Sequence, residues 1–388
     1  MSESTTLGAL VAAGYLELGD GYRTKRSEHG RPGLPILRVA EVLDGKILPA
    51  FEDYVSDAYR RAMGAKISRP GDVVLTTKGT VGRVAIIPDS SSEFVYSPQL
   101  CYFRVDPDSP LDARYLYYWF RSDFFWSQAG SRKSQTDMAD YINLADIRSL
   151  RISLPSFSDQ RAVVEVLGAL DEKIEVNERI ARNAAELAEA QFALTTAAAP
   201  RLVLVGDVAE FHNRHRIPLS SKQRSEMPGR YPYYGANGIV DHVGQFIFDG
   251  HYVLVGEDGS VVSGDGTPVV HDVRGAFWVN NHAHVLTGNS ISNEILLVAL
   301  RLADVRPLVT GAVQPKLSMG NLKKLPLALP SESLAPQLES QLRELFALAE
   351  SRSAESHTLA ELRDALLPGL MSGAIRVRDA EKAVEDAT

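Results

Sequence analysis

A single cysteine, Cys101, stands in a chain of 388 residues, so no internal disulfide can form and a thiolate-built metal cluster is excluded. No run approaches the ~20 consecutive apolar residues that a membrane span needs. The first ten residues lack the basic stretch and apolar core of a secretory signal. The expectation is a cytoplasmic protein. Nucleotide-driven chemistry is also missing, because no G-x-x-x-x-G-K-[ST] phosphate loop occurs. Gly256–Gly266 is glycine-rich but carries Glu257, Asp258 and Asp265, which would repel a phosphate. No Asp/Asn-Pro-Pro-aromatic string of the amino-methyltransferase kind is present, and Tyr231-Pro-Tyr-Tyr234 lacks the polar lead residue.

Positive charge is short overall, with 41 Lys and Arg against 49 Asp and Glu and a net charge of −8. The deficit is local. Residues 1–150 carry 18 basic against 19 acidic side chains, and residues 201–325 carry 12 against 11. Residues 151–200 carry 5 against 8, and residues 326–388 carry 6 against 11. The near-neutral segments hold their basic residues in clusters, and clustering decides DNA contact more than the total does.

What is present is a repeat. Asn143-Leu-Ala-Asp-Ile-Arg-Ser-Leu-Arg-Ile-Ser-Leu-Pro-Ser156 lies over Ser318-Met-Gly-Asn-Leu-Lys-Lys-Leu-Pro-Leu-Ala-Leu-Pro-Ser331 at an offset of 175. Leu150, Ile152 and Leu154 alternate with period two, which predicts a short strand in each copy, stopped by Pro155 and Pro330. Both copies continue into Ala-, Glu- and Leu-rich stretches. Val163, Leu167, Leu170, Ile174, Asn177, Ala181, Ala184 and Ala188 form a heptad seam, as do Leu338, Gln341, Leu345, Leu348, Arg352, Glu355, Leu359, Leu362 and Leu366. Asn177 and Arg352, polar at their seams, are also 175 apart, and polar seam residues fix register and partner. Forty helical residues would run ~60 Å. The pattern predicts one antiparallel helix pair holding two globular units apart.

The globular parts repeat more weakly. Gly71–Gly82 echoes Asp249–Val261, each a β-branched strand running into a glycine-bounded turn with a charged and a hydroxyl residue at its tip. Phe94–Gln99 echoes Phe277–His282, and the apolar segment Tyr115–Phe120 echoes Ile295–Leu300. The expected fold class is α+β: two mixed α/β domains separated by two long antiparallel helices forming a coiled coil, a pseudo-two-fold internal repeat. The expected division is a first domain over 1–155, a central helix over 156–199, a second domain over 200–330, a C-terminal helix over 331–376 and a disordered tail over 377–388.

Arg and Lys suit guanine O6/N7, Asn and Gln suit adenine N6/N7, and hydroxyls hold phosphates. Candidates for DNA contact in the first domain are Arg23, Lys25, Arg26, Lys78, Thr80, Ser97, Gln99, Arg132, Lys133 and Gln135. In the second they are His212, Asn213, Arg214, Arg216, Lys222, Arg224, Tyr233, Tyr234, Asn237, Ser260, Asn280, Asn281, Gln314 and Lys316. No residue is assigned a catalytic role. His282 and His284 alternate on one strand near His251, His271 and Asp272, but a zinc site needs three or four groups in a defined shell, and polar strand or DNA-facing roles fit them better. Asp171-Glu172-Lys173 resembles a nuclease carboxylate–lysine cluster, yet reads more simply as solvated charge on a helix.

With these strings assembled, the chain resembles the specificity subunit of a type I restriction-modification system. The resemblance rests on Pro232-Tyr-Tyr-Gly-Ala-Asn-Gly-Ile239, Phe248-Asp-Gly250, Val255-Gly-Glu-Asp-Gly259, Trp278-Val-Asn-Asn-His-Ala-His284 and Leu366-Leu-Pro-Gly-Leu-Met-Ser-Gly-Ala-Ile-Arg376, together with Gly71–Gly82 and Leu154-Pro-Ser-Phe-Ser-Asp-Gln-Arg161. It implies a non-catalytic subunit in which each domain reads one half of a split, asymmetric double-stranded DNA target, with the helix pair as a ruler. It implies two methyltransferase partners that bind S-adenosylmethionine, and motor-nuclease subunits for cleavage; this chain itself would bind no cofactor. The first helix departs from the pattern, ending in Leu194-Thr-Thr-Ala-Ala-Ala-Pro200 without the Leu-Leu-Pro-Gly-Leu-Met-Ser-Gly stop. A methylation-only or other phage-defence complex is the alternative setting, and a metal-dependent hydrolase using His282 and His284 the alternative class.

Overall fold

The computed structural model describes residues 3–48, 50–130, 134–135, 140–311 and 314–386. The chain is α+β and divides into two compact units, one of Met1–Glu175 with Ser356–Thr388 and one of Val176–Glu355. Two long helices, Phe157–Ala198 and Ala335–Ser372, each contribute residues to both units.

In the first unit a four-stranded sheet runs in the order Leu16–Asp20, Leu100–Val105, Val73–Thr76, Val84–Ile86. Val73–Thr76 is buried along its whole length, as an uninterrupted β-branched and apolar run requires of a central strand. Three further strands, Tyr54–Ser56, Gly33–Leu37 and Val95–Tyr96, form a second small sheet. Helix Ala113–Arg121 is capped by Asp112, whose carboxylate accepts from the N–H of Arg114 and Tyr115 at 2.8 and 3.0 Å. Its Tyr115–Phe120 are all buried, facing the sheet on one side and the start of the long helix on the other.

The second unit repeats this plan around a six-stranded sheet, in the order Ala209–Phe211, Ala283–Gly288, Phe248–Gly256, Val270–Val279, Pro228–Gly235, Gly238–Val243. Helix Asn293–Arg301 takes the place of Ala113–Arg121, with Ser292 as its cap. Each unit also closes on an antiparallel strand pair, Glu3–Thr6 with Arg151–Leu154 and Arg201–Leu204 with Pro326–Leu329. The hydrogen bond that ends each pair recurs: Leu7 N–H to Leu150 C=O, and Val205 N–H to Leu325 C=O, both at 3.0 Å.

The helices pack within each unit. In the first, Val163, Leu167 and Leu170 share a core with Leu359, Leu366 and Leu367, and Ile174 lies against it. Arg363 bonds Asp171 at 2.7 Å and Ser356 Oγ donates to the Ile174 carbonyl at 3.5 Å, so residue numbers rise on one helix as they fall on the other. In the second unit Ala188 and Phe192 meet Leu338, Leu342 and Phe346, with Leu345 partly buried beside them.

Three expectations change here. Gln341 and Leu348 are exposed, Leu348 by 41%, and the buried stripe runs instead through Leu342 and Phe346, because a helix with leucines at 338, 342, 345 and 348 offers two stripes and Ala188 and Phe192 select one. Asp171 is not a solvated charge: it accepts from Tyr118 Oη and Arg363 Nη1, both at 2.7 Å, and from Arg121 Nη1 at 3.4 Å. Residues 377–385 are not disordered but form helix Val377–Glu385, since Val377, Ala380 and Val384 line one face and cover the first core, with Ala380 fully buried. The polar seam residues behave differently from each other. Asn177 is buried with its Nδ2 lacking a partner among the described residues, while Arg352 is half-buried and bonds Glu355 at 2.5 Å.

Candidate nucleic-acid interface

In the first unit, strand Val73–Thr76 leaves the sheet at a turn held by backbone and threonine-hydroxyl hydrogen bonds. Thr77 donates through both N–H and Oγ1 to the Gln99 carbonyl, each at 2.9 Å, and its own carbonyl accepts from Ile142 N–H at 3.0 Å. Gly79 sits at φ +79°, a left-handed conformation glycine adopts without a Cβ clash. Thr76 Oγ1 closes the turn, donating to the Thr80 carbonyl at 2.5 Å and accepting from Arg83 N–H at 2.9 Å. The result brings Lys78, Thr80 and Gln99 together at the surface, with Tyr141 paired to Lys78 across a single β-bridge.

The segment carrying Arg23 lies on the same side. Gly21 N–H bonds the Leu100 carbonyl and Tyr22 N–H bonds the Tyr96 carbonyl, at 3.2 and 2.7 Å. Only glycine permits this approach, since a Cβ at Gly21 would fall 2.1 Å from the Ser97 carbonyl oxygen. Arg23, Lys25 and Arg26 are exposed. Ser97 is not: its hydroxyl is buried, so it is withdrawn as a direct contact. Arg132 and Lys133 lie outside the described residues, and of Gln135 only its place in strand Ser134–Gln135 is described.

The second unit builds the same turn from different side chains. Glu257 N–H bonds the His282 carbonyl at 2.7 Å, Leu317 N–H bonds the Glu257 carbonyl at 2.8 Å, and Gly259 has φ +86°. Asp258 is bridged to Lys316, and Asn280 N–H bonds the Tyr234 carbonyl at 3.0 Å where Ser97 N–H bonds Leu37. Asn237, Ser260, Asn281, Gln314 and Lys316 are exposed around it, as are Arg214 and Lys222 farther along the chain. Asn280 and Tyr234 are half-buried.

Several residues of DNA-binding type serve the scaffold instead. Arg216 bonds Glu257 at 2.7 Å and the carbonyls of Asn213, Asn281 and Ala283 at 3.0, 3.2 and 2.8 Å. Arg224 bonds Asp241 and the Leu219 carbonyl, and lies 5.1 Å over the Tyr233 ring, which is itself 1% exposed. His212 shares a hydrogen bond of 2.8 Å with Thr287 Oγ1, and burial holds its pKa below the ordinary value. Asn213 spans His284 Nδ1 and Val285 N–H, at 2.8 and 3.0 Å. These five are corrections to the candidate set, since each is tied into its unit by hydrogen bonds or burial.

His284 is fully buried, donating from Nε2 to the Leu317 carbonyl at 2.7 Å and accepting at Nδ1, and burial pushes its pKa down. His282 is exposed and turns its Nδ1 to the Asp258 carboxylate. Both histidines thus point to protein partners, and among the described residues no group of three or more His, Cys, Asp or Glu is placed to hold a metal ion. Asp258 and Tyr141 were missed as surface candidates. Asp258 was legible by setting Lys78-Gly79-Thr80 over Asp258-Gly259-Ser260 at an offset of 180 rather than the 178 that places Gly71 on Asp249. Tyr141 carries no sequence signal, because its place comes from a bridge across sixty-odd residues.

A family model described as the type I restriction modification DNA specificity domain matches residues 27–185 and 202–336. The chain belongs to this family. A putative type I restriction enzyme specificity subunit of Haemophilus influenzae is 34% identical over 143 residues, which is 37% of this chain and 36% of that protein. A type I specificity subunit of Methanocaldococcus jannaschii is 24% identical over 172 residues, 42% of this chain and 39% of the relative. These matches span less than two-fifths of either relative's length. The type I specificity fold is also seen in the crystal structure of the S subunit from M. genitalium, at 14% identity and a TM-score of 0.58, covering 95% of this chain and 96% of that one. No helix among the described residues is long and apolar enough to cross a membrane.

Proposed function

We propose that this chain is the DNA-reading subunit of a type I restriction-modification complex, that it performs no reaction itself, and that each unit reads one half of a bipartite, asymmetric target. The observation that carries this reading is the turn built twice on one hydrogen-bond frame with different side chains at its tip, Lys78-Gly79-Thr80 in one unit and Asp258-Gly259-Ser260 in the other. A frame that is kept while its exposed donors and acceptors change suits two readers of unlike half-sites. The long helices set the unread spacer and dock two methyltransferase subunits, which bind S-adenosylmethionine and modify adenine. Motor-nuclease subunits join for cleavage. The acidity of the helical segments belongs to these protein contacts, which leaves the near-neutral units to meet phosphate.

The test is to co-express the chain with its modification subunit and map methylated adenines genome-wide. One split, asymmetric motif is the expected result. A continuous, ungapped motif would exclude a reader in each unit. A metal-dependent hydrolase is a poorer fit, given the protein partners of His282 and His284.

A further inference from the structure

The two turns superimpose in their bonding as well as in their sequence. Val73 and Leu75 pair with Phe103 and Cys101, and Val253 and Val255 pair with Leu286 and His284, so positions on the first strand map at 180 and on its neighbour at 183. The exit bonds keep these offsets: Thr77 N–H to Gln99 in one unit, Glu257 N–H to His282 in the other. The bridges that seat the tip, Lys78 with Tyr141 and Asp258 with Lys316, keep 180 on the turn and 175 on the partner, the offset of the strand before each long helix. Lys78 and Asp258 therefore hold one structural position, and Gln99 and His282 hold the position beside it.

Their chemistry is opposed. Lys78 is exposed, and among the described residues no carboxylate lies within ion-pair range of it. An ammonium has three donors and no acceptor. In the second unit Asp258 takes a hydrogen bond from His282 Nδ1. The Asp258 carboxylate has two oxygens and no proton to give, so what it offers outward beside the His282 ring is an acceptor. The neighbouring Glu257 is matched by Arg216 at 2.7 Å and Lys316 at 3.6 Å, whereas the only ion pair of Asp258 among the described residues is with His282. A carboxylate here repels phosphate and the O6/N7 edge of guanine alike. What it can accept from is an exocyclic amine, and cytosine N4 is the usual partner of a carboxylate in the major groove.

We infer that the turn tip sets the polarity of base reading in each unit: Lys78 addresses an acceptor edge, and the Asp258–His282 pair addresses a base that donates an amine. The inference rests on the reading of both units as DNA readers, and it makes the half-sites unlike at the equivalent base pair. Lys78 and Asp258 are thereby specificity-determining residues with opposite requirements.

The experiment uses the intact complex with its modification subunits and a library of DNA targets randomised across both half-sites. Asp258→Lys with His282→Gln transplants the donor chemistry of the first turn. It should shift preference at one position of the second half-site from an amine-bearing base to guanine by about tenfold or more, leaving the other half-site unchanged. Asp258→Asn, which keeps the shape, should relax the same position. Lys78→Gln should relax one guanine in the first half-site by about tenfold. Unchanged base preference in variants that still methylate overturns the inference. So does uniform loss of methylation across all sequences by folded Asp258→Asn complex, which assigns the residue to partner docking. If the unaltered chain selects no bipartite motif, the wider DNA-reading proposal fails instead, and the two failures are distinct.

Discussion

Arg224 and Lys222 sit two residues apart on the short helix Ser221–Ser225, and by residue type both belong among phosphate or base contacts. Their surroundings separate them. Arg224 is tied to Asp241 at 2.7 Å and to the Leu219 carbonyl at 2.8 Å, whereas the Lys222 side chain is 85% exposed. Arg224→Ala should lower the stability of the chain by about 1–3 kcal/mol in denaturant unfolding. Lys222→Ala should change it by less than about 0.5 kcal/mol. Equal effects would return Arg224 to the surface set. His284 makes a second residue-scale prediction. Its pKa in the folded chain lies below the ordinary 6.5 because it is buried, so the unfolded chain binds its proton more readily. The stability due to the neutral ring is present above about pH 6.5 and is lost as pH falls toward the folded value. Melting temperatures followed from pH 7.5 to 5 should fall more steeply for the natural chain than for His284→Gln. Residue type showed which side chains could meet DNA, but not which ones are consumed within the fold. Arg216 is claimed by Glu257, 41 positions away, and local pattern holds no trace of that pairing.

Helices and strands were more legible than the side chains they carry. The Leu-Pro-Ser strand endings and the caps at Asp112, Ser292 and Ser318 follow from local rules about turn residues and orphan N–H groups. The buried stripe of Ala335–Ser372 did not, since the leucine spacing allows two stripes and only the facing helix decides. Leu342→Ala should cost about 2–5 kcal/mol, because Leu342 is fully buried, while Leu348→Ala at a 41% exposed site should cost less than about 1 kcal/mol. The reverse order in thermal or denaturant unfolding would restore the simple heptad. Helix Val377–Glu385 escaped the sequence because a charged nine-residue segment buries little by itself, and Ala380 finds its pocket only in the completed core.

For the whole molecule, the duplication was clearest at the strands that enter the long helices. The offset is 175 at the strand before each long helix, 180 at the turn and 183 on the neighbouring strand, so insertions in the loops blurred the repeat exactly where the side chains that face outward reside. Under the proposed function, with one reader in each unit, specificity is modular. Residues 201–325 of a relative with a different target, placed in this chain and expressed with the same modification subunit, should yield a methylated motif in which one half changes while the other half and the spacer stay as they were. A motif altered in both halves, or in neither, would contradict a separate reader in each unit.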